Sequence, residues 1–104
     1  MKSRDLCERL SILSSEKRLQ IVELLRERSL CAGAIARRLG VSSSVASQHL
    51  RLLRTGGFVK DIKSGYFVHY ALDTAFVDGV LKELNERLGS EGAPFGVPAS
   101  RKKT

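Results

Sequence analysis

The sequence predicts a mainly α fold of the α+β class, with four helices, a β-hairpin and a last helix, in the order α-α-α-α-β-β-α. Three observations predict it. Leucines recur at helical spacing from Leu6 to Leu53, the hydrophobic period shortens to two between Phe58 and Leu72, and the helical period returns from Val77 to Leu88. A chain of 104 residues, 42% of them hydrophobic, suits one packed domain and argues against wholesale disorder.

In order along the chain, SRDLCERLSILS (3–14) places Leu6, Leu10 and Leu13 on one face of a first helix. Ser15 can cap a second, EKRLQIVELLRER, with acid at its start and arginine at its end. Its apolar face is Leu19, Val22 and Leu25, widened by Ile21 and Leu24. A third helix spans about Cys31 to Leu39 and stops at Gly40, and a fourth runs from about Ser43 to Arg54, ended by Thr55-Gly56-Gly57. Next, Phe58, Lys60 and Ile62 alternate with Val59, Asp61 and Lys63; Ser64-Gly65 makes a turn, and YFVHYAL returns as the second strand. Phe58, Val59 and Ile62 are expected to tie this sheet to the core. Asp73 can cap the last helix, where Val77, Leu81, Leu84 and Leu88 fall at i, i+4, i+7 and i+11. Residues 1–88 form the domain, and GSEGAPFGVPASRKKT (89–104) reads as a flexible tail.

The formal net charge of +7 favours anionic partners, nucleic acid among them. No apolar run reaches the roughly 18–20 residues of a membrane span, and no signal peptide is present, so the expected location is the cytoplasm, with no membrane partner. Cys7 and Cys31 are too few for a disulfide framework.

The fourth helix sorts its side chains by chemistry. Ala46, Leu50 and Leu53, with Val45 and Leu52 beside them, make its apolar stripe. Ser44, Ser47, Gln48, Arg51, Arg54 and Thr55 form a continuous polar face in which every residue can donate a hydrogen bond and none is acidic. Solvated helix faces normally mix Glu with Lys. From Gly33 to Lys63 the basic residues Arg37, Arg38, Arg51, Arg54, Lys60 and Lys63 face Asp61 alone. A helix in a DNA major groove needs this chemistry: hydroxyls at its N-terminal end, an amide for adenine, guanidinium groups for guanine or phosphate. With the preceding short helix and the turn Gly40-Val41-Ser42 it makes a helix-turn-helix, and the hairpin becomes its wing. The expected contacts to double-stranded DNA are Ser42, Ser43, Ser44, Ser47, Gln48, Arg51 and Arg54 on the helix, and Lys60, Lys63 and Ser64 on the wing.

LSSEKRLQIVELL, LCAGAIARRLGVSSSVASQHLRLLRTGGFV and GYFVHYALD together closely resemble the ArsR/SmtB family of winged-helix transcriptional repressors, over roughly residues 10–75. The resemblance implies a homodimer joined through the first and last helices, an inverted-repeat operator, and release from DNA by an inducer. The residues also favour a dimer, since a domain this small can hardly cover the Val77–Leu88 stripe alone. Leu6, Leu10, Val77, Leu81, Leu84 and Leu88 are the expected contacts.

Against the family's sensing sites the match is partial. Where arsenic and cadmium sensors have Cys-x-Cys followed by Asp, this chain has Cys31-Ala32-Gly33-Ala34. Asp73 fits the last-helix metal site, but Ala75 stands where a His would, and no His follows. Cys7 with Cys31 of the other subunit offers two thiolates, one short of the usual arsenite set. They either serve a soft metalloid, redox or persulfide signal or are small buried hydrophobes. No other cofactor is implied. His49 is expected to pack, hydrogen-bond or touch phosphate, and His69 to pack across strands.

No nucleophile elbow, phosphate loop or paired acid and base points to an enzyme. Two alternatives stay open: a DNA-binding protein with no inducer, and a winged helix that binds a partner protein. The second would show apolar or acidic residues where this face has Ser, Gln and Arg. The terminal RKKT serves either as a basic arm on phosphate or as a solubilising end.

Overall fold

The computed structural model describes residues 1–89; the expected tail beyond Gly89, RKKT included, lies outside them. Five helices, α1 (Ser3–Leu13), α2 (Glu16–Leu25), α3 (Ala32–Leu39), α4 (Ser43–Thr55) and α5 (Thr74–Leu88), surround three strands, β1 (Leu30–Cys31), β2 (Val59–Ser64) and β3 (Phe67–Leu72). The sheet is antiparallel in the order β1-β3-β2. The architecture is a winged helix-turn-helix, with α3 and α4 as the helix pair and β2–β3 as the wing.

Local capping chemistry sets the helix starts. Ser15, Ser42 and Asp73 each occupy an N-cap, and their side-chain oxygens accept from the backbone N–H of Arg18, Val45 and Phe76. Gly40 ends α3 at φ 69°, where Val41 N–H reaches the Ala36 carbonyl at 3.1 Å. Lys17 Nζ donates to the Leu39 carbonyl at 3.2 Å, placing a cation at the negative end of α3.

The core is drawn from every element. Ile21 and Leu25 of α2, Ile35 of α3, Ala46, Leu50 and Leu53 of α4, and Phe58, Val59 and Leu72 of the wing root are all buried. At its centre is the joint where α4 turns into the wing. Phe58 is 1% exposed, its N–H donates to the Leu53 carbonyl at 3.0 Å, and its carbonyl accepts from Asp73 N–H at 2.9 Å. Its ring meets Phe76 of α5 edge-on, centroids 5.0 Å apart, and Arg9 of α1 lies over Phe76 at 5.2 Å. Two glycines make room. A Cβ on Gly56 would overlap Ile12 of α1; one on Gly57, which holds φ 96°, would stand 2.8 Å from the Phe76 ring. At the other end of the domain, Arg87 of α5 donates to Ser3 Oγ of α1 at 2.9 Å.

Several sequence expectations are corrected. Leu30–Cys31 is a strand, so the order is α-α-β-α-α-β-β-α and α3 begins at Ala32. α2 ends at Leu25, not at its arginine. Leu19, Val45 and Leu52 are exposed at 46%, 37% and 47%, because the core needs only the centre of each stripe. The wing turn is Gly65-Tyr66, closing a Ser64–Phe67 pair, so Tyr66 leaves the strand. Gly65, at φ 62°, occupies the first loop position, as a type II′ hairpin requires. Phe58 and Val59 anchor the sheet as expected, but Ile62 faces outward at 43%. On α5 the residue turned into the protomer is Val80, 3% exposed.

Gly57→Ala should therefore lower unfolding stability by about 2–4 kcal/mol, the sum of left-handed strain and overpacking against Phe76. Thermal or urea unfolding of the variant beside wild type measures it.

Candidate nucleic-acid interface

The polar face of α4 is presented to solvent. Ser43, Ser44, Ser47, Gln48 and Arg51 are all exposed and, with Leu52, line a shallow open groove on one side of the helix. Among the described residues, no acidic side chain lines it. The opposite side holds the helix in place through Ala46, Leu50 and Leu53, which are 0%, 2% and 0% exposed. A helix gripped this way on one side and bare on the other presents donors at fixed spacing to a ligand with a regular array of acceptors.

Two of the expected contacts have other work. Ser42 is exposed just before α4, but its hydroxyl caps the helix by accepting from Val45 N–H at 3.1 Å. Arg54 Nη1 bonds Asp61 Oδ2 at 3.0 Å, tying the last turn of α4 to strand β2. That pair fixes the wing's angle to the helix and neutralises the lone acid of this surface. Being half exposed, it adds little to stability.

The strand register sorts the wing contacts onto two sides. Val59, Asp61 and Lys63 share the face turned to α4, as the Arg54 bond to Asp61 shows. Lys60 and Ser64 lie on the outer face with Ile62, Phe67 and His69. Lys60, Lys63 and Ser64 are all exposed. They bracket the hairpin with charge instead of forming one row.

His49, at the edge of the α4 face, is half-buried and accepts from Arg18 Nη1 at its Nδ1, 3.3 Å away. Arg18 is itself held by the Ile12 carbonyl, to which its Nε donates at 2.5 Å. Burial, with the positive charges of Arg18 and Lys17 beside it, holds the imidazole below its ordinary 6.5. The ring is thus neutral near pH 7, with its proton on Nε2. This hydrogen-bonded role was among those expected; the partner, Arg18, was missed, since nothing local joins it to His49.

The dimer candidates separate. Leu6 is 6% exposed, inside the protomer's own core, and has almost no surface left for a partner. Leu10, Val77 and Leu84 pack partly against that core, while Leu81 and Leu88 are exposed at 45% and 69%. Cys7 is an exposed free thiol on α1, and Cys31 a half-buried free thiol at the N-cap of α3. Cys31 pairs across the sheet with His69, a neighbour the sequence did not reveal; His69 is also opposite Ile62. Among the described residues, no three His, Cys, Asp or Glu side chains gather to hold a metal. No helix among them is long and apolar enough to cross a membrane.

Comparison with known proteins agrees with this geometry. The family model described as "Bacterial regulatory protein, arsR family" matches residues 15–61, from the α2 cap to Asp61. The transcriptional activator HlyU of Vibrio cholerae is 36% identical over 73% of this chain and 70% of its own length. The arsenical resistance operon repressor of Staphylococcus aureus is 32% identical over 82% of each. Among solved structures, an ArsR-like transcriptional regulator from Rhodococcus sp. RHA1 superposes with a TM-score of 0.75 at 31% identity, covering 85% of this chain and 82% of that one.

The His49 pKa fixes a sign for acid stability. The unfolded chain takes up a proton near 6.5 and the folded chain only below that, so stability drops as pH falls from 6.5 toward the folded value. The melting temperature of wild type should thus fall more steeply than that of His49→Gln between pH 7 and 5, and the two should run parallel above 7.

Proposed function

The chain belongs to the ArsR family of bacterial regulatory proteins, and on that premise we propose that it is a dimeric, sequence-specific transcriptional repressor acting in the cytoplasm. In this reading α4 enters the major groove of an inverted-repeat operator, and the wing lysines hold the flanking backbone. The observation that carries it is the acid-free, exposed row of Ser43, Ser44, Ser47, Gln48 and Arg51 on a helix otherwise locked into the core. A protein-binding winged helix would favour apolar or acidic groups there.

The dimer has α5 against α5, with α1 at its edge. Leu81 and Leu88 supply exposed apolar surface, and Val77 and Leu84 the partly covered margin. A two-fold axis then sets the two α4 helices about 34 Å apart, one turn of DNA, and makes the operator a palindrome. Arginines and lysines attract any duplex. The short side chains of α4 choose among duplexes.

For the signal, we propose a soft metalloid or a reactive sulfur species acting at Cys7 and Cys31. Both thiols are free and neither is fully buried. Among the described residues of one protomer the donor set is too small for a metal, so a ligand would draw on both subunits or on an exogenous thiol.

Two outcomes test the DNA reading by fluorescence anisotropy. Gln48→Ala should lose about 1–3 kcal/mol of discrimination between operator and random duplex, as for a bidentate base contact. Lys63→Ala should weaken both alike and reduce the salt slope by about 0.9. In the same assay arsenite or an organic polysulfide should release wild type but not Cys31→Ser. Release that survives the substitution would exclude Cys31 as the sensor.

A further inference from the structure

At the far end of the hairpin the side chain of Tyr66 is fully exposed, with a relative accessibility of 103%. The turn does not call for a tyrosine. Gly65 supplies the positive φ, and Tyr66 adopts none. An aromatic ring stabilises a protein through burial, so a ring held wholly in solvent contributes nothing to this protomer. Its setting is basic. Lys60 and Lys63 stand exposed on the strand that leads to it, and the hairpin's acid, Asp61, is paired with Arg54 at 3.0 Å.

The root of the hairpin is fixed. Phe58 N–H to the Leu53 carbonyl, at 3.0 Å, and the Arg54–Asp61 pair root the hairpin on the C-terminal end of α4. From there its six-residue strands reach about 20 Å. With α4 in a major groove about 12 Å wide, a hairpin of that reach is long enough to cross one phosphate backbone to the adjoining minor groove.

We propose that Tyr66 enters that minor groove and distinguishes A·T from G·C pairs there through its phenol hydroxyl. The inference rests on the DNA-binding reading above and adds a second, separate element of sequence choice to it. The chemistry fits the groove. An A·T pair shows only acceptors on its minor-groove edge, to which the phenol O–H can donate, whereas G·C places an amino group in the way. The flat ring suits a groove about 6 Å wide, and Phe67, 69% exposed at the next position, extends the apolar end of the wing.

The test uses duplexes selected from a random pool by the full chain, with each adenine replaced in turn by 2,6-diaminopurine. That base keeps adenine's major-groove edge and adds an amino group in the minor groove. Wild type should lose about fivefold or more in affinity at one or two positions flanking the major-groove contacts. Tyr66→Phe should bind the adenine duplex more weakly and respond to diaminopurine there by less than about twofold. Its salt slope should match wild type, since no charge has been removed, whereas Lys63→Ala lowers the slope. Indifference of wild type at every flanking position, or equal sensitivity in Tyr66→Phe, would overturn the inference and leave the DNA reading standing. Failure of wild type to select any duplex would overturn both.

Discussion

The rest of the structure depends on the seat of Phe58. Helix α4 ends, the wing begins and α5 docks within three residues of chain around Gly56-Gly57-Phe58, and the ring of Phe58 fills the space between all three. Glycine is required twice for different reasons. Gly56 lets Ile12 of α1 close over the end of α4, and Gly57 combines a positive φ with contact against Phe76. Side chains here would push α1 and α5 off the joint. The orientation of α4 to the wing, and of both to α5, is therefore set by packing, which falls off steeply with sub-ångström displacement.

Under the proposed DNA reading, firm seating is what would let a small surface carry sequence information. Charge alone attracts any duplex, and this chain has a net +7 to do so. Choice among duplexes needs donors held at fixed spacing, and the α4 side chains gain that only because Ala46, Leu50 and Leu53 lock the helix from behind. The Arg54–Asp61 pair belongs to the same logic. One acid on a basic surface is unfavourable for a polyanion, but its Oδ2 is consumed by Arg54 in fixing the wing, while Oδ1 is buried with no partner among the described residues.

Much of this was legible in the sequence because it is written locally. The caps Ser15, Ser42 and Asp73 each bond a backbone N–H three residues on, and the period change at Phe58 marks the wing without knowledge of anything distant. What failed to show was decided across the fold. β1 is two residues long and exists only because Leu30 and Cys31 find Tyr70 and His69. Leu52 and Ile62 fit apolar patterns, yet neighbours leave them uncovered, and periodicity cannot say where neighbours stop. Arg18 reaches His49, and Arg54 reaches Asp61, through tertiary approach that no motif encodes. Tyr66 was hidden by a shift in the placing of the turn, which changed a strand residue into the tip.

The same joint bears on how a signal would reach DNA. Helix α1 carries Cys7 on its surface, and two residues on, Arg9 lies over the Phe76 ring, with Ile12 over Gly56. Helix α5 carries Phe76 near its start and exposes Leu81 and Leu88 farther along. Any event that shifts α1, or changes how α5 meets a second copy, thus presses on Phe76 and through it on Phe58, where α4 and the wing are anchored. In the proposed dimer the spacing of the two α4 helices would have to match one DNA turn, so a small rotation about the joint would move them in opposite senses. On the proposed palindromic operator, affinity would suffer twice from one displacement, while attraction to DNA in general, set by charge, would be left almost unchanged.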